Sequence, residues 1–402
     1  MPASQNIHKL PRNVWVVTAT SLLTDISSEM IVHLVPLFLS NILGVGTAVI
    51  GLIDGIAETT ASLLKIYSGA LSDKLGKRKW LTVAGYALST VAKPFFYVAN
   101  SWAWVLSIRF SDRVGKGIRT APRDALLADS IESDQRGLAF GLHRAGDTLG
   151  AFLGLAGAAA IVWFTERRAE FLTIDAFRSA VLVSVIPAAL AVLILALGAR
   201  EVHQTKPSAA PLLSLKGMDA RFKTFLVIVV LFTLGNSSDS FIILRGQERG
   251  LNVFQIMLMA MTFNFIYAVF AGPLGALSDK IGRRRIILFG WLAYGLVYLG
   301  FAFSRTGWQV WTLFGLYGIY YAATEGVAKA LIADLVPEAQ RGTAYGLYAA
   351  ATGFAVLPAS LIAGLLWQGV GAWTGFGASA PFFFGAAMSL LAGVLFWRLV
   401  KP

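Results

Sequence analysis

The chain contains no cysteine, which removes disulfides, thiol redox chemistry and thiolate metal sites together. Charge is also scarce. Asp, Glu, Lys and Arg make up 14% of the 402 residues, against about a quarter in a soluble domain. Acidic residues are the scarcer kind, 22 against 34 Lys and Arg, and only four histidines are present. What fills the space is apolar: 56% of the residues are hydrophobic, with a mean hydropathy of +0.66. Forty glycines suit helices packed closely in lipid. The composition is that of a polytopic, all-α membrane protein.

A spanning helix takes about 20 mainly apolar residues. The sequence predicts twelve of them, at about 14–43, 49–71, 80–99, 102–129, 138–164, 177–199, 223–247, 253–276, 286–304, 308–334, 343–369 and 376–399. The net charge of +12 does not point to nucleic acid, because the cations gather in short connections between spans. "DKLGKRK" (73–79), "DKIGRRR" (279–285), the connection 200–222 and both ends hold most of them, while Arg167, Arg168, Arg249 and Arg305 lie on the opposite side. By the positive-inside rule both termini are expected in the cytoplasm. The opening "MPASQNIHKLPRN" reads as a short basic cytoplasmic tail leading into a retained first helix.

The two halves repeat. "GALSDKLGKRK" (69–79) returns as "GALSDKIGRRR" (275–285), and "ALLADSIESDQRGLAFGL" (125–142) as "ALIADLVPEAQRGTAYGL" (330–347). A weaker match sets "SSE" (27–29) beside "SSD" (237–239). Two strong matches at nearly one offset mark a duplicated six-helix unit. The expected organisation is an N-terminal bundle at 1–199, a central cytoplasmic loop at 200–222 and a C-terminal bundle at 223–402.

These residues carry a family resemblance. "GALSDKLGKRKWL" resembles the loop motif G-x-L-x-D-[RK]-x-G-[RK]-[RK] of the major facilitator superfamily, in full and repeated. The resemblance covers essentially the whole chain. It implies two pseudo-symmetric six-helix bundles that rock about a midplane site, a secondary transporter of small solutes, and no cofactor. It also implies that Asp73 and, by repeat, Asp279 latch one state, with Gly69, Gly76, Arg78, Gly275, Gly282, Arg284, Arg109, Arg136 and Arg341 as gating-motif positions. A simpler reading of Lys74, Lys77, Arg78 and Lys79 is that they fix topology. Two further motifs of the family match in part. Arg109 fits R-x-x-x-G-x-G on the fourth span, but Arg113 stands where glycine is usual. "GAFLGLAGAA" (150–159) keeps Gly150, Gly154 and Gly157 of the antiporter pattern and lacks its proline. Close helix packing explains such glycines equally.

The fourth span is the anomaly. "RFSDRVGKGIRTAPRD" (109–124) places Arg109, Arg113, Lys116 and Arg123 on one helical stripe. With a start near Trp102, Arg113 and Lys116 lie roughly 16–21 Å along the helix. A charge at that depth costs at least about 2.5–3.5 kcal/mol, so the stripe must face protein or a water-filled cavity. Carboxylates balance it. Asp25, Glu29 and His33 share one face of the first span, Asp54 and Glu58 repeat the spacing on the second, and Arg144 with Asp147 lies on the fifth. The second half holds Asn236, Asp239 and Arg245 on the seventh span, and Glu325 with Lys329 on the tenth.

The expected substrate contacts are Arg113, Lys116, Arg144, Asp25, Asn236, Asp239 and Glu325. The expected proton-coupling carboxylates are Glu29, Asp54, Glu58 and Asp147, since a carboxylate against apolar walls loads a proton and a nearby arginine opposes it. A salt-bridge lattice is the competing reading, preferred for Asp112, Asp124, Arg119 and Lys65. Asp129 and Asp334 are expected to pair with Arg136 and Arg341. A cation held by Asp25, Glu29 and His33 is the weakest reading of that face; simple packing of His33 comes ahead of it.

The stripe favours an anionic or zwitterionic solute, because guanidinium forks match carboxylate and phosphate. Export of cationic drugs or divalent metal by proton antiport is the rival. A receptor that senses solute without moving it is the alternative from another class. No nucleotide-binding loop, catalytic triad or paired-acid arrangement stands at workable spacing, so an enzyme is not expected. The expected partners are a small molecule, protons and the lipid bilayer of the cytoplasmic membrane, with the protein a monomer.

Overall fold

The computed structural model describes residues 10–132, 135–166, 170–202, 214–337 and 340–400. Arg167 and Arg168, most of the central connection and the first nine residues lie outside them. Among the described residues the chain is almost wholly helical, with one isolated bridge between Val370 and Trp373 and no strand. The helices are α1 (Arg12–Val32), α2 (Val35–Leu37), α3 (Thr47–Leu75), α4 (Arg78–Ala92), α5 (Trp102–Asp129), α6 (Arg136–Glu166) and α7 (Ile174–Gly198). The second half has α8 (Ala220–Gly235), α9 (Ser240–Glu248), α10 (Val253–Ile281), α11 (Arg283–Phe303), α12 (Gly307–Leu335), α13 (Arg341–Gln368) and α14 (Ala380–Leu399). Nine helical segments among the described residues are long and apolar enough to cross a membrane. The span built on α5 is not one of them, because its cations break the apolar run.

All twelve expected spans are helical, and three of them are interrupted. The first runs through α1, turns at His33 and Leu34, and ends in a π turn at Phe38–Ile42. The third leaves α4 for a 3-10 stretch at Lys93–Val98, where Pro94 cannot donate to the preceding turn. The seventh is two helices, α8 and α9, parted by Asn236–Asp239. Those four side chains compete with the backbone for hydrogen bonds, which favours a break.

The chain forms two compact units. The first comprises Met1–Leu34, Thr60–Thr165 and Ile174–Ala210; the second comprises Val35–Thr59, Glu166–Thr173 and Pro211–Pro402. Residues 35–59 are first-half by sequence repeat, yet they pack with the second unit.

In the first unit small residues set the helix spacing. A Cβ on Gly150 would lie 2.5 Å from the Leu22 carbonyl, and one on Gly154 would lie 2.5 Å from that of Ile26. The partial antiporter motif is thus a contact surface for α1. Gly85 and Gly115 do the same between α4 and α5. The second unit is built on aromatics. Phe232 stacks on Trp291 at 4.8 Å, Tyr294 lies against Tyr317 at 5.9 Å and Phe263 stacks on Phe314 at 4.8 Å, tying α8, α10, α11 and α12 together.

The repeated loop motif folds differently in its two copies. Gly76 and Gly282 both take positive φ, +58° and +98°, which accounts for glycine at the turn. Gly69 packs against Ala121, whereas Gly275 faces open space. Arg78 is buried and bridges Asp73 at 3.2 Å and Asp129 at 2.7 Å. It is therefore more than a topology cation. In the second copy the bridging residue is Arg283, at 3.4 Å from Asp279 and 2.5 Å from Asp334, while Arg284 donates to the Trp397 carbonyl. The expected pairing of Asp129 with Arg136 and of Asp334 with Arg341 gives way to Arg78 and Arg283. Arg136 and Arg341 stand exposed at the starts of α6 and α13.

Candidate functional site

The intramembrane charge of the first unit gathers on α1, α5 and α6. Ser101 caps α5 by accepting from the Trp104 amide, and the helix then carries its cations in order. Arg109 and Arg113 are buried, Lys116 is exposed, and Arg123 is half-buried. Thr120 fills the gap in the stripe with its hydroxyl turned back to the Lys116 carbonyl at 2.6 Å. Arg119 leaves the stripe: it donates to Ser89 at 2.6 Å and lies over the Tyr86 ring at 4.5 Å, bracing α4. Arg113 has Asp112 at 3.9 Å. Arg123 takes Asp124 at 2.8 Å and donates to Ser21 of α1 at 2.9 Å.

The acid face of α1 meets this stripe. Glu29 sits in the combined field of Lys116, Arg113, Lys93 and Arg109, with Lys116 the strongest, and its carboxylate contacts His33 at 3.3 Å. Asp25 feels Asp147, Glu29, Arg123 and Lys116. Asp147 on α6 contacts His143 at 3.3 Å. Lys93, Arg109, Arg113, Lys116, Arg119, Arg123 and Arg144 outnumber Asp25, Glu29, Asp112, Asp124 and Asp147, which leaves this region with an excess of positive charge. Arg144 is exposed on α6. Among the described residues no group of three or more His, Cys, Asp or Glu is arranged to hold a metal ion.

Two residues of this cluster escaped the sequence reading. Lys93 is buried and donates to Ser27 and Ser28 of α1 at 2.6 and 3.1 Å; its only signal was a lone lysine inside "TVAKPFFYV". His143 is buried four residues before Asp147, a spacing that places both on one helix face.

The second unit holds the remaining candidates. Asn236, at the end of α8, donates to Tyr320 Oη and accepts from Tyr317 Oη, both at 3.2 Å. Asp239 lies in range of Tyr298, Tyr317 and Tyr321. Glu325 on α12 is exposed and accepts from Tyr267 at 2.6 Å. Asp54 is buried and accepts from Ser238 and Ser240 hydroxyls at 2.8 and 2.5 Å. Its position is that of a pin for the break between α8 and α9, and its neighbour Glu58 is half-buried one turn further on. Arg245 is wholly buried among the carbonyls of Phe301, Ala302 and Ser304, with Ser379 and Glu248, a structural setting and not a binding one.

Long apolar helices, a duplicated loop motif and a charged face inside the membrane define a multi-pass membrane transporter. The Major Facilitator Superfamily model matches residues 17–245 and again 224–402, and the chain belongs to that family. It is not an enzyme. It is 34% identical over 98% of its length, and 96% of the relative's, to an uncharacterised MFS-type transporter of Methanocaldococcus jannaschii. It is 24% identical to the multi-drug resistance efflux pump PmrA of Streptococcus pneumoniae over 79% of this chain and 80% of that one. The crystal structure of the nucleoside transporter NupG, as a D323A mutant, superposes with a TM-score of 0.81 over 97% of this chain and 100% of that chain at 12% identity, a likeness of fold alone.

Proposed function

We propose that the protein is a secondary active transporter that moves a small anionic or zwitterionic solute across the cytoplasmic membrane by alternating access, driven by protons. The observation that carries this reading is the placement of Glu29 within the field of the α5 cations, Lys116 first among them, in a region where cations outnumber carboxylates. An anionic group on the solute competes with Glu29 for Lys116 and Arg113. Once displaced from its cations, the Glu29 carboxylate takes up a proton; release of the solute restores the ion pairs and frees the proton. The six-helix halves 1–199 and 223–402 divide the work. The first supplies charge recognition and coupling through Arg113, Lys116, Arg144, Asp25, Glu29 and Asp147; the second supplies shape through Asn236, Asp239, Glu325 and the tyrosines around them. Both termini face the cytoplasm, and the protein works as a monomer.

Efflux of cationic drugs is the second reading. What favours it is the relative described as a multi-drug efflux pump, together with the acid face of Asp25 and Glu29. A thermal-stability screen of the purified protein separates the two. Inorganic phosphate, short carboxylates and sulfonates are compared with ethidium, tetraphenylphosphonium and divalent metals at two pH values. The anionic reading expects one anion to raise the melting temperature and the rise to vanish in Lys116→Ala and Arg113→Ala. Stabilisation by a cation, lost in Glu29→Gln, overturns it in favour of efflux. A solute that binds but does not cross a vesicle membrane identifies a receptor.

A further inference from the structure

Two histidine–carboxylate pairs lie in the first unit, each four residues apart on one helix. Glu29 and His33 form the pair on α1, and His143 and Asp147 the pair on α6, each with 3.3 Å between Nδ1 and a carboxylate oxygen. Asp147 already stands among the coupling carboxylates, His143 has no part in the solute cycle described above, and the surroundings of the pair are unusual. His143 is 4% exposed. Neither of its ring nitrogens makes an aligned hydrogen bond, and neither does Asp147 Oδ1; the nearby Thr18 hydroxyl is also buried without a partner. Thr18 faces α6 beside this pair, its Cγ2 being 2.7 Å from where a Gly146 Cβ would stand. A neutral imidazole is one donor and one acceptor. Burying both without partners is costly, and such clusters of unsatisfied atoms call for an explanation.

We propose that His143 and Asp147 hold one exchangeable proton between them, at a site separate from Glu29. This rests on the proton-driven reading of the transporter. With a proton on Nδ1, the loose 3.3 Å contact becomes a charge-assisted hydrogen bond after a small side-chain rotation. The path is graded in exposure: the His143 side chain is 5% exposed and the Asp147 side chain 21%, so a proton arrives through the carboxylate. Asp147 is faced from α1 by Asp25 and the Ser21 hydroxyl, and from α5 by Arg123; Arg144 adjoins on α6 itself. Arg123 donates to Ser21 at 2.9 Å and lies in the field of both carboxylates. Protonation of the pair therefore alters the charge that Asp25 meets, and Asp25 in turn lies in the field of Glu29 and Lys116. The α6 pair is linked through one residue to the solute-binding face.

The chain has four histidines, His8, His33, His143 and His203, few enough to follow each imidazole by NMR of protein labelled with 15N-histidine. The His143 signal is the one missing in His143→Gln. If that variant does not fold, His8→Gln, His33→Gln and His203→Gln assign it by elimination. We expect the His143 signal to respond to pH and that response to change in Asp147→Asn, while the His33 signal stays in place. A purely structural His143 gives no titration between about pH 5 and 9, or the same response in Asp147→Asn; either result overturns the proposal. The two readings fail separately. Solute uptake that ignores a pH gradient removes the coupling role of Glu29 and leaves the titration of the pair standing, whereas a silent His143 in a protein with proton-driven uptake removes the pair alone.

Discussion

Arg245 shows what a cation inside this protein requires. It has no exposed surface, and three backbone carbonyls, two hydroxyls and Glu248 surround it. Replacing it with alanine removes the donor those acceptors share and leaves Glu248 with Arg249 at 3.8 Å; Glu248 is partly exposed, so the loss is about 1–3 kcal/mol, that of buried acceptors left under-satisfied. Arg245→Ala is expected to lower the melting temperature of the purified protein sharply without altering which solute binds; unchanged stability would deny it a structural role. In the sequence Arg245 and Arg113 look alike, each an arginine inside an expected span. The difference lies in the acceptors that surround them. Those come from loops and helix ends far away in the chain, such as Phe301–Ser304 and Ser379, and no local pattern foretells them. Asp54 is a similar case: its spacing with Glu58 suggested coupling, and the residues that satisfy it, Ser238 and Ser240, belong to a helix break nearly two hundred residues on.

At the scale of the helices, contact distance decides which glycines matter. Gly154 and Gly157 both belong to the partial antiporter motif on α6. A Cβ on Gly154 would lie 2.5 Å from the Ile26 carbonyl, while one on Gly157 would meet Met30 at an ordinary 3.5 Å. Gly154→Ala is expected to push α1 from α6 and cost about 1–3 kcal/mol, whereas Gly157→Ala is expected to be close to neutral. Melting temperatures of the two variants check this, and equal losses would mean that the motif does not set the α1–α6 spacing. The glycine pattern was legible in the sequence as close packing. Its partner helix was not, since nothing local in "GAFLGLAGAA" names α1. The same holds for the ends of the spans. The fourth was expected at 102–129 and is found at Trp102–Asp129, because Ser101 gives a clear start and the turn after Asp129 a clear end. The seventh was expected whole, because its break at Asn236–Asp239 is made of polar residues that a spanning helix also tolerates when it faces a cavity.

At the scale of the molecule, the duplication was readable because two motifs recur at almost one offset, and the family follows from it. The packing units do not follow the repeat, since residues 35–59 join the second unit; a repeat records descent, and packing records which faces are complementary. The cation stripe of α5 was readable too, because charge in an apolar span needs a reason. The sequence also set Arg119 apart from Arg113 and Lys116 as a structural residue, but its partners on α4, Ser89 and Tyr86, are visible only in the folded chain. The central claim is that Glu29 exchanges its cations for a proton when an anionic solute binds. Uptake of the stabilising anion into proteoliposomes, with and without an imposed pH gradient, tests it most directly in the wild type and Glu29→Gln. The account predicts gradient-driven accumulation in the wild type and, in Glu29→Gln, exchange of solute across the membrane that no longer responds to the gradient. Accumulation in Glu29→Gln that still follows the gradient would contradict it.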